Sequence, residues 1–259
     1  MIASQFFISF VHRYQFVSAG RVYVTSFAIR SLFTHHKFNV CSSFTQQGFH
    51  RVPNVGYDFN TGQGIPFAYF TCGAACSEVE IDILTGDFHI LRADLLMDLG
   101  DSLNPAIDIG QIEGAFVQGV GWCTMEELIW GDEDHKWVKP GTLATRGPGA
   151  YKIPSFNDIP IDFRVTLLPD SPNPFAVHSS KAVGEPPLFL SASVFFAIQE
   201  AVLAARREAM NGDVADEFVM YSPATTERIR MAIGDEISRL YTKNRGQGEK
   251  DAYQPRGSW

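Results

Sequence analysis

Apolar and acidic residues alternate through Val79-Glu80-Ile81-Asp82-Ile83-Leu84, Thr85-Gly86-Asp87 supplies a turn, and His89–Asp98 continues beyond it. A period of two bounded by turn residues predicts a β-hairpin with one wet face. Pro66 to Cys72 predicts a short apolar strand ahead of it. Ile159–Leu168 predicts another strand, whose Pro160 places it at a sheet edge or a strand start. Helical spacing takes over at Asn104-Pro105, with Asn as N-cap and Pro in the first turn. Ile109, Ile112, Ala115, Phe116, Val120 and Cys123 then form one core-facing stripe. Gly110, Gly114, Gly119 and Gly121 each cost about 1 kcal/mol relative to Ala in a helix. They predict close approach of a packed neighbour or of a bulky ligand, the neighbour being preferred. Leu188–Arg207 predicts the longest helix, apolar on most sides and therefore central. Ser222-Pro223 begins a last helix through Ile233 and Ile237. The fold class expected is α+β: a mixed sheet with packed helices, the hairpin and the Ile159–Leu168 strand lying under Leu188–Arg207.

Composition narrows the classes. A chain of 259 residues with 45% hydrophobic and 19% charged residues can bury a core as one large domain or two small ones. The net charge of −8, with no basic patch, excludes a general nucleic-acid binder. No apolar run reads as long enough to span a bilayer, so no membrane partner is expected. Cys41, Cys72, Cys76 and Cys123 lack ferredoxin-like or zinc-like spacing and read as buried reduced thiols. Glu80, Asp82 and Asp94 have the chemistry of a divalent-metal site, but acids at alternating positions read first as a solvated sheet face. Residues 1–46 carry no Asp or Glu, with Arg13, Arg21, Arg30 and Lys37 spread through them. That composition fits a mitochondrial transit peptide, a translated non-coding stretch or a divergent exon. Without an amphipathic period the last two are preferred, and the segment is expected to be poorly ordered and poorly packed. Residues 241–259 form a polar tail, expected to fray.

The most constrained carboxylate is Glu185, in Lys181-Ala182-Val183-Gly184-Glu185-Pro186-Pro187-Leu188-Phe189-Leu190. Gly184 leaves a small backbone before it, and Pro186 disfavours the helical region for Glu185 itself. Pro187 is placed to open the following helix. An acid at a helix start can stay ionised beside the positive end of the dipole, which suits a general base. The same residues also read as an ordinary acid near a helix N-terminus.

That segment, extended to Ser179-Ser180, resembles the active-site segment of the molybdenum hydroxylases of the aldehyde oxidase/xanthine dehydrogenase family. So do, in family order, Ala75–Asp82, Ser102–Phe116, Thr145-Arg146-Gly147-Pro148 and Tyr151-Lys152-Ile153-Pro154. The resemblance begins at Gln47 and spans 47–240, which it identifies as the C-terminal portion of a molybdopterin-binding domain. Pro186-Pro187 is closer to the family's purine-hydroxylating branch than to its aldehyde oxidases.

The resemblance implies a molybdenum–molybdopterin cofactor whose metal is held by the pterin dithiolene and not by side chains. It implies Glu185 as the general base acting on the metal-bound hydroxide, and Gln111 as the glutamine lying against the cofactor. On the residues alone, Gln111 reads as an exposed amide. The family's FAD and [2Fe-2S] centres belong to other domains of a longer enzyme, as does an earlier half of the molybdenum region. The chain is therefore expected to be a portion of a purine hydroxylase acting on substrates such as hypoxanthine and xanthine. It is expected to be inactive by itself, and part of a cytoplasmic homodimer when complete, with the peroxisome as the alternative location. Two alternatives stand beside this: a non-catalytic interaction module, and a separate molybdenum subunit completed by a partner chain.

Overall fold

The computed structural model describes the backbone of residues 2–15, 22–25 and 47–48, and the full chain at 49–133, 135–209 and 218–239. In chain order the strands are β1 (Ile2–Gln15), β2 (Val22–Thr25), β3 (Gln47–His50), β4 (Gly56–Asp58), β5 (Gln63–Ile65), β6 (Phe70–Asp82), β7 (Phe88–Met97) and β8 (Asp162–Leu167). The helices are α1 (Pro105–Thr124), α2 (Ala192–Ala209) and α3 (Thr226–Ile233), with 3-10 turns at Phe156–Asp158 and Pro186–Ser191.

The predicted alternation builds the sheet. β6 and β7 pair antiparallel from Gly73 opposite Met97 to Ile81 opposite Phe88, with a register shift between Glu78 and Val79. Gly86, at φ 81°, turns the hairpin, and its N–H donates to Asp82 O at 2.7 Å. β8 lies parallel to β7, from Asp162 beside Arg92 to Leu167 beside Met97. A parallel neighbour requires a crossover, and α1 lies within that connection. The strand order is β1-β6-β7-β8, so β8 occupies the edge expected of it.

One face of this sheet is the core. Ala75, Val79, Ile81, Ile90, Ala93, Leu95 and Met97 meet Val194, Ala197, Ile198, Ala201 and Val202 of α2. Ile112, Phe116 and Val120 of α1 join the same cluster, and the Phe116 ring lies 5.4 Å from that of Phe163 on β8. Each of the larger side chains contributes about 1.5–3 kcal/mol when fully buried. α2 is thus the central helix expected, packed over the hairpin.

Several expectations are corrected. The apolar run before the hairpin is no separate strand: β6 runs unbroken from Phe70, because pairing with β7 extends past Ala75 to Gly73. Residues 2–15, expected to stand apart, form β1 and pair antiparallel with β6 from Ile2–Asp82 to Gln15–Phe70. The edge of β6 away from β7 presents a row of unpaired backbone groups, and a β-branched, aromatic-rich segment satisfies it. Residues 16–21, 26–46 and 240–259 lie outside the described residues, and the expectations for them with them. The helix after Glu185 begins as a six-residue 3-10 turn, and α-helix starts only at Ala192. α2 is buried on one face, not all round, with Phe196 39% exposed. The last helix is capped by Thr225, which accepts from Arg228 N at 3.4 Å, and not by Ser222. Finally, the 24-residue helical stretch Pro186–Ala209 contains an 18-residue window of mean hydropathy 1.8 and is long and apolar enough to cross a membrane by length and composition, but 56% of that window is buried in the fold.

Candidate functional site

The start of α1 forms as its sequence dictates. Asn104 is extended at φ −152° and its Oδ1 accepts from Ala106 N at 3.2 Å, with Pro105 in the first turn. Ser102 Oγ donates to Asp108 Oδ2 at 2.5 Å, fastening the entry loop to the first turn. Ile112, Ala115 and Phe116 are buried, whereas Ile107, Gly110, Gln111 and Gly114 face outward.

The four glycines of α1 divide into two kinds. A β-carbon at Gly119 would lie 2.1 Å from Leu188 O and 2.3 Å from Ser191 Oγ. One at Gly121 would lie 2.6 Å from Pro154 Cδ. These are the packed neighbours expected. At Gly110 and Gly114 nothing lies within 4 Å. The first half of the helix therefore presents bare backbone to an open face, and the second half grips the 3-10 turn.

The segment before Glu185 is tied to the end of β7. Lys181 Nζ lies 2.6 Å from Asp98 Oδ2, with the two side chains 11% and 7% exposed. Asp98 Oδ1 also accepts from Gly100 N at 3.0 Å. Lys181 N donates to Leu99 O at 2.7 Å, Asp101 N to Ser179 O at 2.9 Å, and Ala182 N to Tyr69 Oη at 3.2 Å. Gly100, at φ 68°, allows this close contact, since a β-carbon there would lie 2.2 Å from Ser179 O.

Glu185 follows with an exposed side chain and caps the 3-10 turn, making no side-chain capping bond. Its backbone lies at φ −100°, ψ −34°, in the helical region that the following proline disfavours. That corrects the extended conformation expected from sequence. The turn itself provides the reason: Leu188 N donates to Glu185 O at 3.0 Å, and Pro186 and Pro187 are buried. The six-residue 3-10 turn runs on without a break into α2, so the carboxylate stands at the start of a helical stretch of 24 residues, Pro186–Ala209.

Gln111 and Glu185 come from different elements, and Gln111 approaches the segment of Glu185 at Gly184. A β-carbon on Gly184 would lie 3.6 Å from Gln111 Oε1, so the amide stands against the residue that precedes Glu185. The arrangement combines an exposed carboxylate, an amide with both donor and acceptor, and a helix face on which Gly110 and Gly114 carry no side chain. It is a polar wall suited to a flat, hydrogen-bonding group.

Sequence reasoning missed the parts beneath this wall: Asp98, Gly100 and Tyr69. The signal that existed was Lys181 at a fixed offset from Glu185, but its partner lies 83 positions away. The Thr145–Pro148 motif lies elsewhere. Thr145 Oγ1 accepts from Ile129 N at 3.0 Å, and Tyr151 Oη donates to Glu126. A cavity of about 470 Å³ opens there beside His89, Glu127 and Lys152. Glu127 pairs with Arg228 at 2.5 Å, and burial outweighs that partner to push its carboxyl above the ordinary range. Among the described residues no His, Cys, Asp and Glu side chains group as a metal site. Asp94 instead bonds Arg92 at 2.6 Å, and Asp82 Oδ1 accepts from Leu84 N at 2.8 Å in the hairpin turn.

Comparison with known proteins places this geometry in context. The sequence model described as "Molybdopterin cofactor-binding domain" matches residues 10–160, beginning before Gln47 and ending before Glu185. The chain is 63% identical over 197 residues to xanthine dehydrogenase 1 of Arabidopsis thaliana, covering 76% of this chain and 14% of that protein. It is 58% identical over 200 residues to the xanthine dehydrogenase/oxidase of Gallus gallus, covering 77% and 14%. In structure it resembles quinoline 2-oxidoreductase from Pseudomonas putida 86, with a TM-score of 0.56 over 77% of this chain and 21% of that one. At 24% identity that likeness speaks for the fold alone. The chain spans about one seventh of the length of the curated relatives it matches, at 14%.

Proposed function

The chain belongs to the molybdopterin cofactor-binding domain family, and from that premise we propose that it is one wall of the active site of a purine-hydroxylating molybdenum enzyme, with Glu185 as general base. The observation that supports this most directly is that Gln111 Oε1 stands 3.6 Å from the position a β-carbon on Gly184 would take. It sets the amide beside the residue that precedes the base, on the helix face where Gly110 and Gly114 carry no side chain.

The residues present fit the cofactor. Bare helix backbone at Gly110 and Gly114 leaves room for a flat pterin, and the exposed Gln111 amide can bond its polar edge. When bound, the molybdenum–molybdopterin group supplies the two-electron oxidation and the oxygen transfer. The chain's own residues do the rest on this side. Gln111 orients the group. Glu185 accepts a proton at a carboxylate oxygen, and an exposed carboxylate with no side-chain capping bond is free to do so. The Lys181 tether and the buried Pro186 and Pro187 hold its backbone. Purines are the substrates favoured, on the strength of the Pro186-Pro187 pair and of relatives named xanthine dehydrogenase. FAD and [2Fe-2S] centres, carried by other domains of the longer enzyme, would receive the electrons.

The test is Glu185→Gln in a complete enzyme carrying this segment. The substitution keeps size and hydrogen bonding and removes the base. Turnover of xanthine should fall by about 10²–10⁴-fold with molybdenum content unchanged. Retained turnover would remove Glu185 from the role. Purified alone, the 259-residue chain should hold no stoichiometric molybdenum, because it offers the cofactor a single wall.

A further inference from the structure

We infer that the Lys181–Asp98 ion pair is the positioning device for Glu185, setting where the carboxylate stands relative to Gln111 without touching substrate or cofactor. This rests on the reading of Glu185 as general base. The pair is short, at 2.6 Å, and nearly enclosed, with side chains 11% and 7% exposed. Asp98 sits at a joint. Its own N–H donates to Cys72 O of β6 at 2.8 Å, and its Oδ1 accepts from Gly100 N in the turn toward α1. The carboxylate is therefore referenced both to the sheet and to the loop that delivers Gln111.

Lys181 carries that reference to the other strand of the site. Its N–H is bound to Leu99 O, Ser179 O is bound to Asp101 N, and Ala182 N to Tyr69 Oη. Glu185 comes four residues after Lys181, and the next tie downstream is Leu188 N to Glu185 O within the 3-10 turn. A buried ion pair is a weak source of net stability compared with apolar side chains of the same volume. What it supplies here is a fixed distance between the floor of the sheet and the segment that bears the base. A catalytic group displaced by about 1 Å loses about 10²-fold in rate, so slack at Lys181 should reach the chemistry through Glu185.

The experiment uses the complete molybdenum enzyme carrying this segment, with Lys181→Met, Lys181→Arg and the neutral pair Asp98→Asn with Lys181→Gln. Four quantities are read: kcat and KM for xanthine, molybdenum per chain, and amide hydrogen exchange of residues 179–190 without substrate. For Lys181→Met, kcat should fall about 10²-fold while KM and molybdenum content stay at the parent values. Exchange at Lys181, Ala182 and Leu188, whose N–H groups are bonded to Leu99 O, Tyr69 Oη and Glu185 O, should quicken by about tenfold or more, with β6 unchanged. Lys181→Arg keeps the charge and should recover most of both. If Lys181→Met does not fold, the neutral pair decides, with the same direction expected in kcat and in exchange. Unchanged exchange at residues 181, 182 and 188 overturns the inference. So does a kcat loss accompanied by equal loss of protection across β6, which is general loosening. The exchange measurement needs no turnover, so it is independent of Glu185→Gln. Turnover retained in that variant would sink the base assignment, while unchanged exchange in Lys181→Met would sink the tether.

Discussion

Alanine at Gly119 should lower the melting temperature of the chain, while alanine at Gly110 or Gly114, on the same helix, should raise it. A β-carbon at Gly119 would lie 2.1 Å from Leu188 O, 2.3 Å from Ser191 Oγ and 2.9 Å from Ser191 Cβ. Carbon and oxygen atoms approach ordinarily to about 3.3–3.6 Å, so α1 and the Pro186–Ser191 turn must part by about 1.2 Å. The carbonyl cannot swing aside freely, because it is backbone and accepts from Ser191 Oγ at 2.7 Å. Overpacking of this kind costs about 1–3 kcal/mol, and contact with backbone puts it at the upper end. Better helix propensity returns about 1 kcal/mol, leaving a net loss of about 2 kcal/mol. For a chain of this size each kcal/mol moves the midpoint by about 2–4 °C, which makes the expected drop about 4–8 °C. At Gly110 and Gly114 no atom lies within 4 Å, so the propensity gain stands alone and the midpoint should rise by about 2–4 °C. Thermal melts followed by far-UV circular dichroism give all three values. A neutral or stabilising Gly119→Ala would refute the packing of α1 on the 3-10 turn. In a complete enzyme, Gly110→Ala and Gly114→Ala add methyl groups to the face assigned to the pterin and should lower molybdenum content despite the gain in stability. Unimpaired molybdenum loading would count against that face.

Other consequences follow from individual contacts. Gly100→Ala forces a side chain into a left-handed conformation costing about 1–2 kcal/mol and against Ser179 O. Denaturant titration should show a loss of at least that size, and a smaller one would mean that the Ser179–Lys181 segment is not held as drawn. Arg228→Met leaves Glu127 buried without its cation, at a cost of about 3–5 kcal/mol near neutral pH. The sign with pH is set by Glu127. Burial raises its carboxyl above the ordinary value, so the folded state binds the proton more tightly than the unfolded one. Stability from this group is present below the ordinary carboxyl range and is lost as pH rises through the raised folded value. Removing Arg228 raises that value further. The variant should therefore regain much of its deficit when urea titrations are moved from about pH 7 to about pH 4, and a deficit independent of pH would contradict the assignment.

Local pattern was enough wherever partners are neighbours in the chain. Asn104-Pro105 and the spacing of Ile112, Ala115, Phe116 and Val120 specify where α1 starts and which face it buries, because capping and helical periodicity act within a few residues. The hairpin was legible from Val79 to Asp98 for the same reason: alternation and Gly86 are short-range signals. The motifs around Gln111 and Glu185 were legible as wording, and so was the family.

What only tertiary structure decided depends on partners far apart in sequence. Nothing in the first residues announces that β1 completes the sheet, since its pairing to β6 satisfies backbone groups of a strand that lies beyond residue 70. Gly119 and Gly114 look alike in sequence, yet one meets Leu188 O and the other meets open space. The conformation of Glu185 is the sharpest case. The local rule for a residue before proline asks for extended backbone, and the structure places it in the helical region at φ −100°, ψ −34°. A 3-10 turn pressed against Gly119 on one side and a lysine anchored to Asp98 on the other outweigh the local preference, because together they involve more contacts than a single proline ring can oppose.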